Sequence, residues 1–148
     1  MILDLVIDGN DPEGFLRKPV TAVTVFDENL KKTVKDMMET MDSSNGIGLS
    51  GPQVKLSKMI IVMNIPNGFK GEIINPNIIY RDKFKAKNYE GCLSIPGISK
   101  EVARPVSVGV QYVDANQVSH VTTFTGLNCI CFLHEYDHLL NKLMTDYK

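Results

Sequence analysis

The sequence lacks the features of a membrane, secreted or disulfide-stabilised protein. No apolar run approaches the roughly 20 residues that a membrane-spanning helix needs. Residues 1–10 carry Asp4 and Asp8 but no basic residue, unlike a signal or transit peptide. The cysteine count is three, an odd number, which argues against a disulfide framework and predicts a reducing, cytoplasmic compartment.

An excess of charge of one sign is also missing. The net charge is −1 at pH 7, so nothing indicates a nucleic-acid partner. There is no internal repeat and no low-complexity segment. A chain of 148 residues with 43% hydrophobic residues is long and apolar enough for a core, and we expect residues 1–148 to form one domain.

The apolar pattern predicts a helix, then several strands, then a second helix. Residues 27–42 have helical spacing with Asp27 as N-cap, and residues 127–140 follow Thr125 as a second cap. This order lacks a βαβ rhythm, which favours an α+β fold with mostly antiparallel β-sheets packed around the second helix. The predicted strands are residues 58–64, 71–75, 78–80, 106–114 and 118–124, the last two forming a hairpin.

The second predicted helix carries the pattern H-E-x-x-H at residues 134–138. His134 and His138 are four positions apart, so both imidazoles lie on one face and can reach one metal ion. Glu135 stands beside them as a carboxylate. Two nitrogen ligands and an adjacent carboxylate are what metal-assisted hydrolysis requires.

A catalytic metal needs a third protein ligand, and the sequence downstream of His138 offers only Asp146. Cys92 is the best upstream candidate, because a thiolate binds zinc or ferrous iron well. The remaining histidine, His120, lies in a polar strand segment and is expected to be solvated. Cys129 is expected to be core, off the ligand face.

Three short motifs occur in order along the chain. Residues 46–53 read G-I-G-L-S-G-P-Q, residues 90–94 read E-G-C-L-S, and residues 134–138 read H-E-Y-D-H. This set resembles the peptide deformylase family, which is marked by G-x-G-L-A-A-x-Q, E-G-C-x-S and H-E-x-D-H. The similarity runs from about Pro12 to the end of the chain.

The resemblance implies a metal-dependent hydrolase that removes the N-formyl group from the N-terminal methionine of newly made polypeptides and releases formate. Cys92, His134 and His138 match the metal ligands. The family metal is ferrous iron, with Zn²⁺, Ni²⁺ or Co²⁺ as substitutes. The expected partners are N-formyl-methionyl peptides and nascent chains, with a possible transient association with the ribosome.

The resemblance also implies roles for further residues. Glu135 matches the general acid/base, which takes a proton from the attacking water and returns it to the departing amine. Gln53 and the backbone N–H of Leu93 match the donors to the formyl oxygen as it gains negative charge. An extended substrate would pair with backbone near the metal, and an apolar slot would take the methionine side chain. The residues expected to bind substrate in these ways are Ile47, Gly48, Gly91, Leu127, Ile130 and Cys131.

The chain departs from the family pattern in two places. Ser50 and Gly51 stand where the family usually has two alanines, which adds a hydroxyl and backbone freedom near Gln53. The chain stops at Lys148, whereas typical bacterial members continue into a further C-terminal helix. In this it resembles the short members found in some phages, and a phage origin is expected from that likeness.

Other readings of the same residues remain open. Cys92 could be a thiol nucleophile with His134 as its base, or the metal site could be a closed structural one in a binding module. Asp137 is expected to fix the helix or an imidazole N–H, and Arg104 could pair with it or lie free. A serine hydrolase is disfavoured, because Pro52 stands where the nucleophile motif needs glycine and no βαβ pattern surrounds it. The lysines of residues 83–87 predict a solvated edge strand and not ribosomal RNA binding.

Overall fold

The computed structural model describes residues 1–148 and contains two α-helices and seven β-strands. The helices are α1 (Glu28–Ser43) and α2 (Gly126–Leu139). The strands are β1 (Gly48–Ser50), β2 (Ile60–Asn64), β3 (Lys70–Arg81), β4 (Lys85–Cys92), β5 (Ile95–Pro105), β6 (Ser107–Val113) and β7 (Ser119–Thr125). Short 3-10 helices lie at Phe15–Arg17, Gly51–Val54 and Met144–Asp146. The predicted α+β class is confirmed, and none of the helices is long and apolar enough to cross a membrane.

Five strands form an antiparallel sheet in the order β1-β2-β3-β6-β7, and β4 pairs with β5 in a separate antiparallel sheet. The apolar strand β2 contributes to two cores. Ile60 and Val62 lie in the core shared with α1, whereas Ile61 and Met63 lie in the core shared with α2. Both faces of β2 are therefore covered, which explains why its sequence is a continuous apolar run and does not alternate.

Helix α1 matches its prediction to within one residue at each end. The Asp27 carboxylate caps it by accepting a hydrogen bond from the Leu30 N–H at 3.0 Å. Val34, Met37 and Met41 are buried against the five-stranded sheet in the same core as Leu30. The methionine stripe is thus packing surface, and α1 supports the sheet from the side opposite α2.

The hairpin predicted at residues 106–124 is confirmed as β6 and β7, but two other predictions need correction. The strands predicted at residues 71–75 and 78–80 are one strand, β3. Its register against β6 shifts between Ile74 and Asn77, and Asn75 has a φ of 51°. Pro76, which has no N–H to donate, is thus accommodated in a bulge and does not end the strand.

The sheet of β4 and β5 brings its turn to the C-terminal half of α2. The last pair before the turn is Cys92 with Ile95, so only Leu93 and Ser94 connect the two strands. Thr125 occupies the N-cap of α2 as predicted, with extended φ and ψ of −133° and 166°, though its side chain makes no capping bond. The fold therefore places the turn after Cys92 beside the H-E-x-x-H segment of α2.

Candidate active site

Three potential metal ligands converge where the turn of β4 and β5 meets α2. The ligand atoms of Cys92, His134 and His138 all lie within 4.8 Å of one another, and Cys92 Sγ is 3.4 Å from His138 Nε2. The two histidines are 8% and 1% exposed. A thiolate with two imidazoles is a donor set that suits divalent iron, zinc, cobalt or nickel, so the residues present fit such an ion.

Glu90 fixes the orientation of His134. The Nδ1 atom of His134 lies 2.9 Å from a Glu90 carboxylate oxygen, which can only accept, so Nδ1 carries the proton and Nε2 is left for a metal. Burial raises the pKa of Glu90, but the hydrogen bonds from Arg104 and His134 outweigh it, and the pKa lies below its usual value. Glu90 is therefore an ionised, buried acceptor.

Arg104 links Glu90 to a second carboxylate in the interior. Its Nε and Nη2 donate to Glu90 at 2.6 and 2.9 Å, and its Nη1 donates to Asp137 at 2.9 Å. The Tyr147 hydroxyl donates to the same Asp137 oxygen at 2.7 Å. A continuous chain of charge-assisted hydrogen bonds thus runs from Tyr147, in the segment after α2, to the imidazole of His134.

The network shows which contacts Asp137 and Arg104 make, a question that the sequence left open. Arg104 is 4% exposed and paired, and Asp137 anchors it without contacting an imidazole. The partner of the His134 imidazole N–H is Glu90, to which the sequence assigned no role beyond its place in the motif at residues 90–94. A signal was available, because Glu90 lies two positions before Cys92 on a strand and so on the same face.

Glu135 lies in the wall of the site beside His134. Its side chain is 3% exposed, one carboxylate oxygen is 3.7 Å from His134 Nε2, and the other has no hydrogen-bond partner. Burial raises the pKa of Glu135 to about 7. An unpaired carboxylate oxygen next to converging ligands can accept a proton from a group bound there.

Gln53 reaches the same site from the 3-10 helix after β1. Its side-chain Nε2 lies 3.1 Å from Ser94 Oγ and 3.6 Å from Cys92 Sγ, so an amide N–H points at the ligand cluster. Gln53 is 1% exposed. Leu93, the residue between Cys92 and Ser94, lines the adjoining cavity.

A cavity of about 630 Å³ opens beside the ligands, between β1, the turn after β4 and α2. The contact of β1 with α2 is close, because a Cβ at Gly48 would lie 2.5 Å from Cys131 Sγ and 3.1 Å from Glu135 Cγ. Only glycine permits this approach. All six predicted substrate-binding residues line the cavity: Ile47, Gly48, Gly91, Leu127, Ile130 and Cys131.

The other wall of the cavity includes residues that the sequence did not indicate. Tyr89 and Ile98, from β4 and β5, line it while being 73% and 50% exposed. Because both side chains are exposed on strands with mostly exposed residues, no alternation of apolar and polar residues marks them in the sequence. His120, by contrast, lies outside the site; it is 2.8 Å from Asp114 and stacks on Tyr112, so it is paired on its strand and not simply solvated.

We expect Arg104→Leu to lower the free energy of unfolding by about 3–5 kcal/mol, because it leaves buried carboxylates without their cation. Chemical denaturation of the metal-loaded protein measures this loss. Arg17→Leu is the matched control, since its two hydrogen bonds to Asp146 are exposed. Such a pair is worth about 1 kcal/mol at most. Equal losses in the two variants would contradict a buried network.

Comparison with known proteins agrees with this geometry. The family model described as polypeptide deformylase matches residues 3–148. A peptide deformylase of Finegoldia magna is 42% identical over 138 residues, which are 93% of this chain and 84% of the relative. A peptide deformylase of Acetivibrio thermocellus is 38% identical over 136 residues, 92% of this chain and 79% of the relative.

Solved structures give the same result. The crystal structure of peptide deformylase from Thermotoga maritima superposes with a TM-score of 0.93 at 37% identity, covering 99% of this chain and 97% of that one. A peptide deformylase of Synechococcus elongatus, solved in complex with actinonin, gives 0.91 at 38% identity, covering 97% and 77%. Sequence and structure together show that this chain belongs to the polypeptide deformylases, metal-dependent hydrolases that remove the N-formyl group from newly made polypeptides.

Proposed function

We propose that Cys92, His134 and His138 hold one divalent metal ion, natively ferrous iron, which Zn²⁺, Ni²⁺ or Co²⁺ can replace. The observation that carries the proposal is the convergence of three ligand atoms within 4.8 Å beside a buried, unpaired carboxylate oxygen of Glu135. An ion bound there would act as a Lewis acid, which would polarise the formyl carbonyl and lower the pKa of water so that hydroxide is available to attack it.

In this proposal Glu135 moves the proton. It takes a proton from the attacking water and delivers it to the amine as the bond between formyl carbon and nitrogen breaks, giving formate and a free amino terminus. Glu135 is buried, with 3% exposure, and it lines the cavity in which the attacking water and the substrate would meet. Adjacency to His134 on α2 keeps the carboxylate at the ligands, so one helix would supply both metal binding and proton transfer.

Gln53 and the backbone N–H of Leu93 are proposed to hold the formyl oxygen as negative charge develops on it. The amide N–H of Gln53 that points at Cys92 Sγ is directed at the position where the substrate must react. Donors fixed in advance in a buried site need no reorganisation during the reaction, which is why such groups stabilise a transition state more than water does.

The cavity is proposed to bind the first substrate residue and the backbone that follows it. Leu127, Ile130 and Cys131 from α2 form an apolar wall with Ile47, which suits an unbranched side chain such as methionine. Backbone of Ile47, Gly48 and Gly91 is proposed to pair with the extended substrate as an added strand. The substrate would then lie between β1 and the turn after β4, with its formyl group at the metal.

We further propose that residues 1–148 act as one catalytic domain in the bacterial cytoplasm on nascent chains, with transient binding to the ribosome. Co-sedimentation of the protein with translating ribosomes tests that association, and recovery only in the free fraction would contradict it. A phage origin stays a prediction.

Peptides that differ only at the first residue test the pocket. We expect formyl-Met to exceed formyl-Gly in kcat/KM by about ten- to a hundredfold, because burying an apolar side chain of this size is worth roughly 1.5–3 kcal/mol. Formyl-Asp should be poorer still, because its charge would be buried against the apolar wall. Acetyl-Met should be cleaved far more slowly, because the added methyl group has to fit beside the ligands.

A pair of variants ties this preference to the cavity. Ile130→Ala should reduce the preference for methionine over glycine, whereas Val121→Ala, on the exposed face of β7, should leave it unchanged. Equal rates for all three formyl peptides would refute the pocket. Cleavage of acetyl-Met at the rate of formyl-Met would refute the proposed tight fit around the formyl group.

A further inference from the structure

Ser50 occupies a fully buried position in contact with Gln53. The Ser50 side chain is buried, and its hydroxyl donates a hydrogen bond to the side-chain oxygen Oε1 of Gln53 at 3.1 Å. The backbone N–H of Ser50 donates to the same Oε1 at 3.0 Å. Ser50 therefore contributes two donors to one end of the Gln53 amide.

The other end of the amide faces the ligand cluster. Its Nε2 donates to Ser94 Oγ at 3.1 Å, and its second hydrogen is directed at Cys92 Sγ, 3.6 Å away. The oxygen and nitrogen ends of a carboxamide have nearly the same shape, so packing alone does not select between the two orientations. Hydrogen bonds must therefore select the orientation of the Gln53 amide. A flipped amide would present an oxygen lone pair to the ligand cluster instead of an N–H donor.

We propose that Ser50 is a positioning residue for catalysis, which holds the Gln53 amide with its N–H directed at the substrate oxygen. This inference rests on the proposed role of Gln53 as a donor to that oxygen. An alanine at position 50 would keep the backbone donor to Oε1 but remove the hydroxyl. The serine thus gives this chain a second donor that the alanine usual in the resembling family motif cannot supply.

Gly51, the second departure from the family motif, lies in a tightly packed turn next to Ser50. A Cβ at Gly51 would lie 2.6 Å from the carbonyl oxygens of both Leu56 and Lys58, so the alanine of the family motif does not fit here without a backbone shift. The turn that carries Gln53 is packed directly on these two carbonyls. Position 50 can therefore be tested alone, whereas restoring both alanines would also disturb the turn.

A double-mutant cycle separates positioning from simple stabilisation. Ser50→Ala should lower kcat on the order of two- to tenfold, the usual effect of one buried hydrogen bond, with KM unchanged. Gln53→Ala should lower kcat by on the order of 10²–10³. In the Gln53→Ala background, Ser50→Ala should cause no further loss of kcat, because the group that it positions is gone.

Thr40→Ala is the matched control. Thr40 is also fully buried, on α1 and away from the site. Its hydroxyl donates to the backbone carbonyl of Asp36 and accepts from the Leu3 N–H. This variant should lower the melting temperature and leave kcat unchanged. If Ser50→Ala is too unstable to assay, Ser50→Cys keeps the side-chain shape with only a weak donor and takes its place in the same cycle.

The outcomes are distinguishable. A loss of kcat on Ser50→Ala that disappears in the Gln53→Ala background supports positioning. An equal loss in both backgrounds, or no loss when Gln53 is intact, overturns it while leaving the proposed function in place. An unchanged kcat in Gln53→Ala itself refutes the role of Gln53, and the inference about Ser50 with it.

Discussion

Replacing Glu135 with glutamine lowers kcat by about 10² or more, the usual scale of general acid–base catalysis. The amide has the same shape as the carboxylate but cannot accept a proton. Because Glu135 is not one of the three converging ligands, the variant keeps one metal ion per chain. Formate release and metal content, measured on the same sample, check the result.

Glu72→Gln is the matched control for this experiment. Glu72 is partly buried and accepts a hydrogen bond from the Ala115 N–H at 2.9 Å, a role that an amide oxygen also fills. Its kcat should stay at the wild-type value. Near wild-type turnover in Glu135→Gln, with the metal bound, would refute the acid/base role.

Replacing Cys92 with alanine abolishes stoichiometric metal binding and activity together. The thiolate is the only sulfur among the three converging ligands, and two imidazoles alone leave the ion without its strongest anionic donor. Elemental analysis after dialysis measures the metal. We expect the circular dichroism spectrum to remain that of the folded protein, because Cys92 is only partly buried and is not one of the 30 buried hydrophobic residues that form the core.

Cys129→Ala is the control that separates this effect from loss of any buried thiol. Cys129 is 1% exposed and donates to the Pro105 carbonyl, on a different side of α2 from the ligands. It should retain both metal and turnover. Full metal occupancy in Cys92→Ala would remove Cys92 from the ligand set. Loss of activity at that full occupancy would instead favour the alternative of a thiol nucleophile.

The helices and the β6–β7 hairpin could be predicted because their patterns are complete within one segment. Leu30, Val34, Met37 and Met41 repeat at helical spacing, and they are the residues that α1 buries. Only the start of β4 was predicted, from the lysines of residues 83–87, and β5 carries no such pattern. In β4 only Glu90 is buried, so backbone pairing with β5 defines the strand, and its side chains do not.

The ligand triad could be predicted because its residues are chemically distinctive and two of them share a helix face. The buried hydrogen-bond network that holds these ligands in place could not be predicted. Arg104 meets Tyr147 across 43 positions of sequence, and neither residue carries a local signal that it has a buried partner. Only the fold, which brings β5 and the segment after α2 together, makes Arg104 a link between Asp137 and Glu90.

One measurement tests the central claim most directly: formate release from a formyl-Met peptide by anaerobically prepared protein, stripped of metal with a chelator and titrated with Fe²⁺. Activity should be absent in the stripped protein and rise linearly to a plateau at one ion per chain, since the chain has one cluster of three converging ligands. Full activity in the stripped protein, or a plateau unrelated to one bound ion, would contradict the account.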